Sequence, residues 1–204
     1  MTLDPAPFVH LQETVLREMI PQGSVRSFAK NAVVLNEGDL TDSLYVILSG
    51  RVKVFMSEED GREIVLNTIE AGDYFGEIVL DGGPRSASIM TLEPCRFFVI
   101  PRADVEGLIE QNPAFARDLI GRLIRKVRSL AGFVRTLGLK DAYGRLATFL
   151  ERNAVEQDGR RQIPERLTQQ EIAARIGASR EMVSRIFKDL SAGGYIAIDN
   201  KRIV

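Results

Sequence analysis

From about Ser27 to Ile100 the apolar residues fall in short runs separated by glycine turns, the spacing of β-strands. LYVILSG and RVKVFM alternate around Gly50, and EEDGREIVLNTI contains Asp60-Gly61, a dipeptide that favours a hairpin turn. Turn signals recur at Glu37-Gly38-Asp39, Ala71-Gly72-Asp73 and Asp81-Gly82-Gly83-Pro84. Many short strands with this punctuation predict a sandwich or roll. After Pro101 the apolar period lengthens to that of helices. The pattern predicts a short helix near Arg102 to Glu110, a break at Asn112-Pro113, a long helix from Ala114 to Leu137 and another around Ala142 to Ala154. A polar loop is expected from Glu156 to Gln162.

The long helix carries a second pattern. Ala116, Ile120, Leu123, Val127, Leu130, Val134 and Leu137 are spaced four and three residues apart in alternation, an uninterrupted heptad seam. Two such helices can pair, which predicts a homodimer; the alternative is that the seam packs on the β domain of its own chain. Arg117, Arg122, Arg125, Lys126, Arg128 and Arg135 lie mostly off the seam, where they stay solvated or meet acids elsewhere.

TQQEIAARIGASREMVSRIFK, Thr168 to Lys188, reads as helix, tight turn and helix. Thr168 followed by Glu171 is a capping box. Ile172 and Ile176 share a face, Ala173 admits a close helix crossing, and Gly177 supplies the permissive backbone of the turn. Ser179 can cap the next helix. Val183, Ile186 and Leu190 turn that helix inward, leaving Arg180, Glu181, Ser184, Arg185 and Lys188 outward. Two arginines and an acid near a helix N-terminus suit the DNA major groove, because Arg can bond guanine O6 and N7 together and Glu can accept from cytosine N4. The alternative is a helical hairpin with a solvated charged face. Gly193-Gly194 stops the second helix, and YIAI, Asp199-Asn200 and KRIV predict a small hairpin, the wing of a winged helix.

Composition narrows the chemistry. The 204 residues, 45% hydrophobic, suffice for one large domain or two small ones. No run approaches the length of a membrane span, and the acidic, proline-interrupted N-terminus lacks the features of a secretory signal, so a cytoplasmic protein is expected. Cys95 is the only cysteine, which excludes an intrachain disulfide and a cysteine-rich metal site; it reads as a buried strand residue. His10 is the only histidine and has no evident partners for a triad. No catalytic or metal centre is expected, and the chain reads as a non-enzyme. The charge balance is 27 bases to 28 acids. Residues 141–204 nevertheless hold 11 bases and 9 acids, against 16 and 19 in residues 1–140, so the modest basic excess lies with the helix-turn-helix.

FGEIVLDGGPRSAS, Phe75 to Ser88, is the other chemical segment. Gly76 permits close backbone approach, and the short turn begun by Glu77 can aim N–H groups at an anion. Arg85 can clasp a phosphate, Ser86 adds a hydroxyl and a backbone donor, and Glu77 suits a ribose hydroxyl. The alternative is a satisfied surface turn.

The order of β-roll, GEI…PRSAS cassette, long helix and helix-turn-helix resembles the cyclic-AMP receptor protein and fumarate-nitrate regulator (Crp/Fnr) family of bacterial transcription factors, over nearly the whole chain. The resemblance implies an α+β architecture: an effector-binding roll in residues 1–112, a dimerisation helix in 113–138 and a winged helix-turn-helix in 139–204. It implies that Gly76, Glu77, Ile78, Arg85 and Ser86 hold a cyclic nucleotide, cyclic AMP first, with another cyclic nucleotide, a cyclic dinucleotide or no ligand as alternatives. It also implies that Arg180, Glu181 and Arg185, with Ser184, read TGTGA-like half-sites of a palindrome in double-stranded DNA, while Thr168, Gln170, Ser179 and Lys188 approach phosphates. The dimer interface is expected at Ile120, Leu123, Val127, Leu130, Val134 and Leu137. RNA polymerase is an implied partner. One departure stands out: counting back from Gly144-Arg145, the places where cyclic-AMP binders carry an adjacent Thr and Ser hold Leu130 and Ala131. A regulatory module acting on a protein partner is the alternative function.

Overall fold

The computed structural model describes residues 20, 22–157, 159–199 and 202–204. His10 lies outside these. Two compact units are present, one built on Leu66–Arg128 and the strands up to Met56, the other on Ser57–Val65 and Ser129–Val204.

The first unit is a roll of two four-stranded sheets. One runs β1 (Ser24–Phe28), β8 (Cys95–Pro101), β3 (Ser43–Ser49) and β6 (Tyr74–Phe75). The other runs β2 (Val33–Leu35), β7 (Ser88–Thr91), β4 (Arg51–Ser57) and β5 (Glu63–Glu70). The central pair β3 and β8 is antiparallel, with Leu44 opposite Ile100 and Val46 opposite Phe98. These two strands read as nearly continuous apolar runs because both of their faces are covered. Tyr45, Ile47, Phe97 and Val99 point into the roll with Leu35, Val52, Phe75 and Ile89. Leu44, Val46, Phe98 and Ile100 point the other way, onto Val105 of α1 (Arg102–Gln111) and Phe115 and Leu119 of α2 (Pro113–Leu139). Cys95 is buried in the roll core, as its strand pattern predicts. Gly61 turns the β4–β5 hairpin at φ 80°, the left-handed conformation that its Asp-Gly signal anticipates.

Helix α2 continues two residues past the predicted Leu137, through Leu139, so Gly138 lies within it. Asp141 then starts α3 (Ala142–Asn153), its carboxylate accepting from the Gly144 N–H at 2.8 Å. The segment Glu156–Gln162, expected as a loop, is instead a hairpin: β9 (Val155–Gln157) pairs antiparallel with β10 (Arg160–Gln162). Its strands are almost entirely polar and exposed, so no apolar alternation marks them. Helices α4 (Gln169–Ile176) and α5 (Arg180–Ala192) follow, and β11 (Ile198–Asp199) pairs with β12 (Arg202–Ile203) as the predicted wing. Leu146, Ile163, Ile172, Ile176, Val183, Ile186, Phe187 and Ile203 form the core of this unit.

Candidate effector site and nucleic-acid interface

The cassette begins where β6 ends. Gly76 has φ 85° and opens a 3-10 turn, Glu77–Asp81. A β-carbon at Gly76 would lie 3.0 Å from Arg85 Nη1 and 3.1 Å from the Ser43 carbonyl, so both conformation and space require glycine. Arg85 is 3% exposed. Its Nε donates to Thr41 Oγ1 at 2.6 Å, Nη1 to the Gly76 carbonyl at 2.7 Å and Nη2 to the Ser43 carbonyl at 2.7 Å. Burial works against its charge and lowers its pKa, though it remains a cation. The arginine read from sequence as a phosphate clasp is thus also the clasp of its own loop. Ser86 is exposed and Ile78 half-buried.

All five cassette residues line one recess of about 80 Å³. Its other walls are mainly apolar, among them Leu35, Val54, Ile69 and Ile89, and α2 contributes Lys126. Lys126 Nζ lies 2.7 Å from Glu77 Oε1. The second oxygen, Glu77 Oε2, is buried and has no hydrogen-bond partner. Nothing in the sequence pattern marks Thr41, Ser43 or Lys126 as site residues. Lys126 carried a partial signal, being one of the basic residues off the seam expected to stay solvated or meet an acid, but periodicity cannot say which acid.

One turn before Lys126, Arg122 is held by acids on both sides. Its Nε donates to Asp118 Oδ2 at 2.8 Å, Nη1 donates to Asp73 Oδ1, and the guanidinium sits 4.8 Å from the Tyr74 ring centroid. Burial opposes the charge on Arg122, but its hydrogen bond to Asp118 and the fields of Asp73 and Asp118 outweigh it and raise its pKa. For the Tyr74 phenol, by contrast, burial is what raises the pKa.

The seam lies on a different face of α2. Phe115, Asp118, Leu119 and Arg122 are its buried residues, whereas Ile120, Leu123, Val127, Leu130 and Val134 are exposed, Val127 and Val134 each at 66%. Ile120, Leu123 and Val127, which belong to the first unit, are therefore left open to solvent within it. Leu137 departs from the row, being half-buried, with Cδ2 2.9 Å from where a β-carbon on Gly177 would stand.

In the second unit the caps form as the sequence predicts. Thr168 Oγ1 accepts from the Glu171 N–H at 3.2 Å, and Glu171 Oε2 accepts from the Thr168 N–H at 2.7 Å. Gly177 closes α4 at φ 64°. Ser179 Oγ accepts from the Met182 N–H at 3.1 Å to start α5. Val183, Ile186 and Phe187 are buried, so Arg180, Glu181, Ser184, Arg185 and Lys188 are left exposed on α5, with Thr168, Gln170 and Ser179 also exposed. The Glu181 pKa lies below its ordinary value, because the carboxylate accepts from its own backbone N–H and the Ser179 hydroxyl. Arg145, whose role no local pattern announces, donates to the carbonyls of Ile176 at 2.8 Å and Gly177 at 3.1 Å and so fixes the end of α4.

An effector-type β-roll with a charged cassette, followed by a capped helix-turn-helix with a wing, defines a class of ligand-controlled DNA-binding regulators. Comparison with known proteins agrees. Residues 25–112 match the cyclic nucleotide-binding domain, and residues 144–204 match the Crp-like helix-turn-helix domain. The chain is 30% identical over 202 residues to the CRP-like cAMP-activated global transcriptional regulator of Mycobacterium tuberculosis, covering 97% of this chain and 90% of that protein. It is 31% identical over 188 residues to the cAMP-activated global transcriptional regulator CRP of Pasteurella multocida, covering 88% of each. Among solved structures, the c-di-GMP-responsive global regulator CLP of Xanthomonas campestris superimposes with a TM-score of 0.82 at 25% identity, covering 94% of this chain and 97% of that one. The chain belongs to the Crp/Fnr family. It is a DNA-binding transcription regulator under the control of a small effector. Among the described residues no helix is long and apolar enough to cross a membrane, and no three His, Cys, Asp or Glu side chains form a metal-binding group.

Proposed function

We propose that the effector is a cyclic nucleotide, cyclic AMP first, and that it acts on a cytoplasmic homodimer that reads a TGTGA-like palindrome. The observation that carries the ligand is Glu77 Oε2, a buried acceptor with no partner in the wall of the cassette recess. A ribose hydroxyl would satisfy it. Arg85 spends three of its five donors on the protein, which leaves N–H groups for a phosphate. The recess of about 80 Å³ is well below the roughly 300 Å³ at which ligand pockets begin, so binding must open it. Relatives of this chain are named as cAMP-activated, in support of the first choice. A second reading, a cyclic dinucleotide, is favoured by the similarity to CLP and by Leu130 and Ala131, which offer no polar side-chain contact to a base.

The exposed seam supports pairing of two α2 helices, since an apolar row of this length is otherwise left in water. Two-fold pairing would set two recognition helices in successive major grooves, about 34 Å apart, with Arg180, Glu181 and Arg185 at base edges. Thr168, Gln170, Ser179 and Lys188 would meet phosphates. RNA polymerase is the downstream partner in this reading, and the chain itself carries out no catalysis. The test is anisotropy titration of a duplex carrying TGTGA and TCACA separated by six base pairs, with and without cyclic AMP, cyclic GMP and cyclic di-GMP. Tighter binding with one of the three identifies the effector; equal binding with all and with none refutes control by these ligands.

A further inference from the structure

On α5, Arg185 and Asp189 stand four residues apart, both exposed. Opposite charges at that spacing lie on one face of a helix and ordinarily close on each other. Among the described residues this pair stays open, because each side chain has taken another partner. Arg185 Nη2 donates to the Met182 sulfur at 2.8 Å, and the Asp189 carboxylate accepts from the Tyr143 hydroxyl. The two bonds differ in kind. A thioether is a weak acceptor, so the guanidinium gives it up readily to a better one. The bond from hydroxyl to carboxylate is charge-assisted and holds the acid more firmly.

Tyr143 sits on an anchored turn. Asp141 caps α3 through the Gly144 N–H, Arg145 ties the same turn to the end of α4, and Leu146 is fully buried in the core of the second unit. Val183, Ile186 and Phe187 fix α5 against that core. The hydroxyl of Tyr143 therefore spans two helices of one unit, and its partner lies 46 residues away in the chain.

We propose that Tyr143 is a positioning residue for DNA specificity: by holding the Asp189 carboxylate it keeps that acid off Arg185 and leaves the guanidinium available for a guanine edge. An Arg185 closed on Asp189 would have to break that pair before bonding O6 and N7 together, and the cost would fall on the specific site. Unrelated DNA, held mainly through its phosphates, would lose less. Tyr143 and Asp189 touch no base in this scheme and act through Arg185. The inference rests on the reading of Arg185 as a base contact, and it adds the residue on another helix that keeps this arginine in use.

The experiment is anisotropy on the TGTGA palindrome and on an unrelated duplex, with whichever of cyclic AMP, cyclic GMP and cyclic di-GMP gives the parent its tightest binding, or with none. The proteins are the full-length parent, Tyr143→Phe, Tyr143→Phe with Asp189→Asn, Arg185→Ala, and Tyr143→Phe with Arg185→Ala. Tyr143→Phe keeps the ring and removes only the hydroxyl. An ion pair at this spacing, broken once in each half of a dimer, corresponds to a loss of roughly two- to fivefold in palindrome affinity. That loss should shrink as salt is raised at matched conditions, because salt screens the pair. Adding Asp189→Asn should restore the parent's affinity, and Tyr143→Phe should cost nothing further once Arg185 is alanine. A loss that persists in either background would make Tyr143 a packing residue only and overturn the proposal. Unchanged affinity in Tyr143→Phe, where Arg185→Ala is weakened, would overturn it while leaving the base contact in place. Unchanged affinity in Arg185→Ala, or a parent with no preference for the palindrome, would overturn the base-contact reading and the proposal with it.

Discussion

Arg85 Nη1 donates to the carbonyl of Gly76 at 2.7 Å and so ties the two ends of the cassette together across nine residues. The same guanidinium holds Ser43 and Thr41, which makes it a structural group as well as the proposed phosphate clasp. Arg85→Lys keeps the charge but loses the fork, and should destabilise the roll by about 2–4 kcal/mol while abolishing cyclic-nucleotide binding. Gly76→Ala should act in the same direction, since it forces a side chain into a left-handed residue against Ser43 and Arg85. Denaturant unfolding and calorimetry check both; a fully stable Arg85→Lys protein would show that the three bonds contribute little.

On the recognition helix, Arg180→Ala and Arg185→Ala should each cost about 1–3 kcal/mol on the specific palindrome and less on unrelated DNA. Both side chains are exposed and off the α5 core, so the fold should be unaffected. Anisotropy at matched salt is the measurement, and unchanged specific affinity in both variants would move the base contacts elsewhere. Thr168→Ala, in contrast, removes a cap and should lower stability by about 1 kcal/mol.

The seam is tested by charge. Leu123→Asp with Val127→Asp changes two exposed residues, so a monomer should tolerate the pair, whereas a dimer would have to bury both acids. Sedimentation should report a monomer and palindrome affinity should fall. An undisturbed dimer would place the interface on another surface.

Cys95 is 2% exposed, and burial raises its thiol pKa. The thiolate is the reactive form. Native protein at mildly alkaline pH should therefore resist alkylation, and denaturant should release one reactive thiol per chain. Rapid labelling of the folded protein would contradict the packing of β8.

Periodicity and turn chemistry alone determined the roll, the long helix, the capping box at Thr168–Glu171 and the outward set on α5. Each of these depends on neighbours within a few residues, where backbone preference and burial pattern are written locally. The heptad row was legible for the same reason, although only the structure showed that Ile120, Leu123 and Val127 are exposed within the first unit. The β9–β10 hairpin was not legible, because apart from the exposed Val155 its strands are polar and pair without burying an apolar row. Tertiary structure also decided how the charged groups are used. Nothing in the spacing of Arg85 tells that it bonds Thr41 and Ser43, some forty residues away in the chain. Nor does it tell that Arg122 and Lys126 close on Asp73 and Glu77, each 49 residues distant. A charge has no periodicity of its own, and its partner is whichever group the folded chain brings within hydrogen-bonding reach.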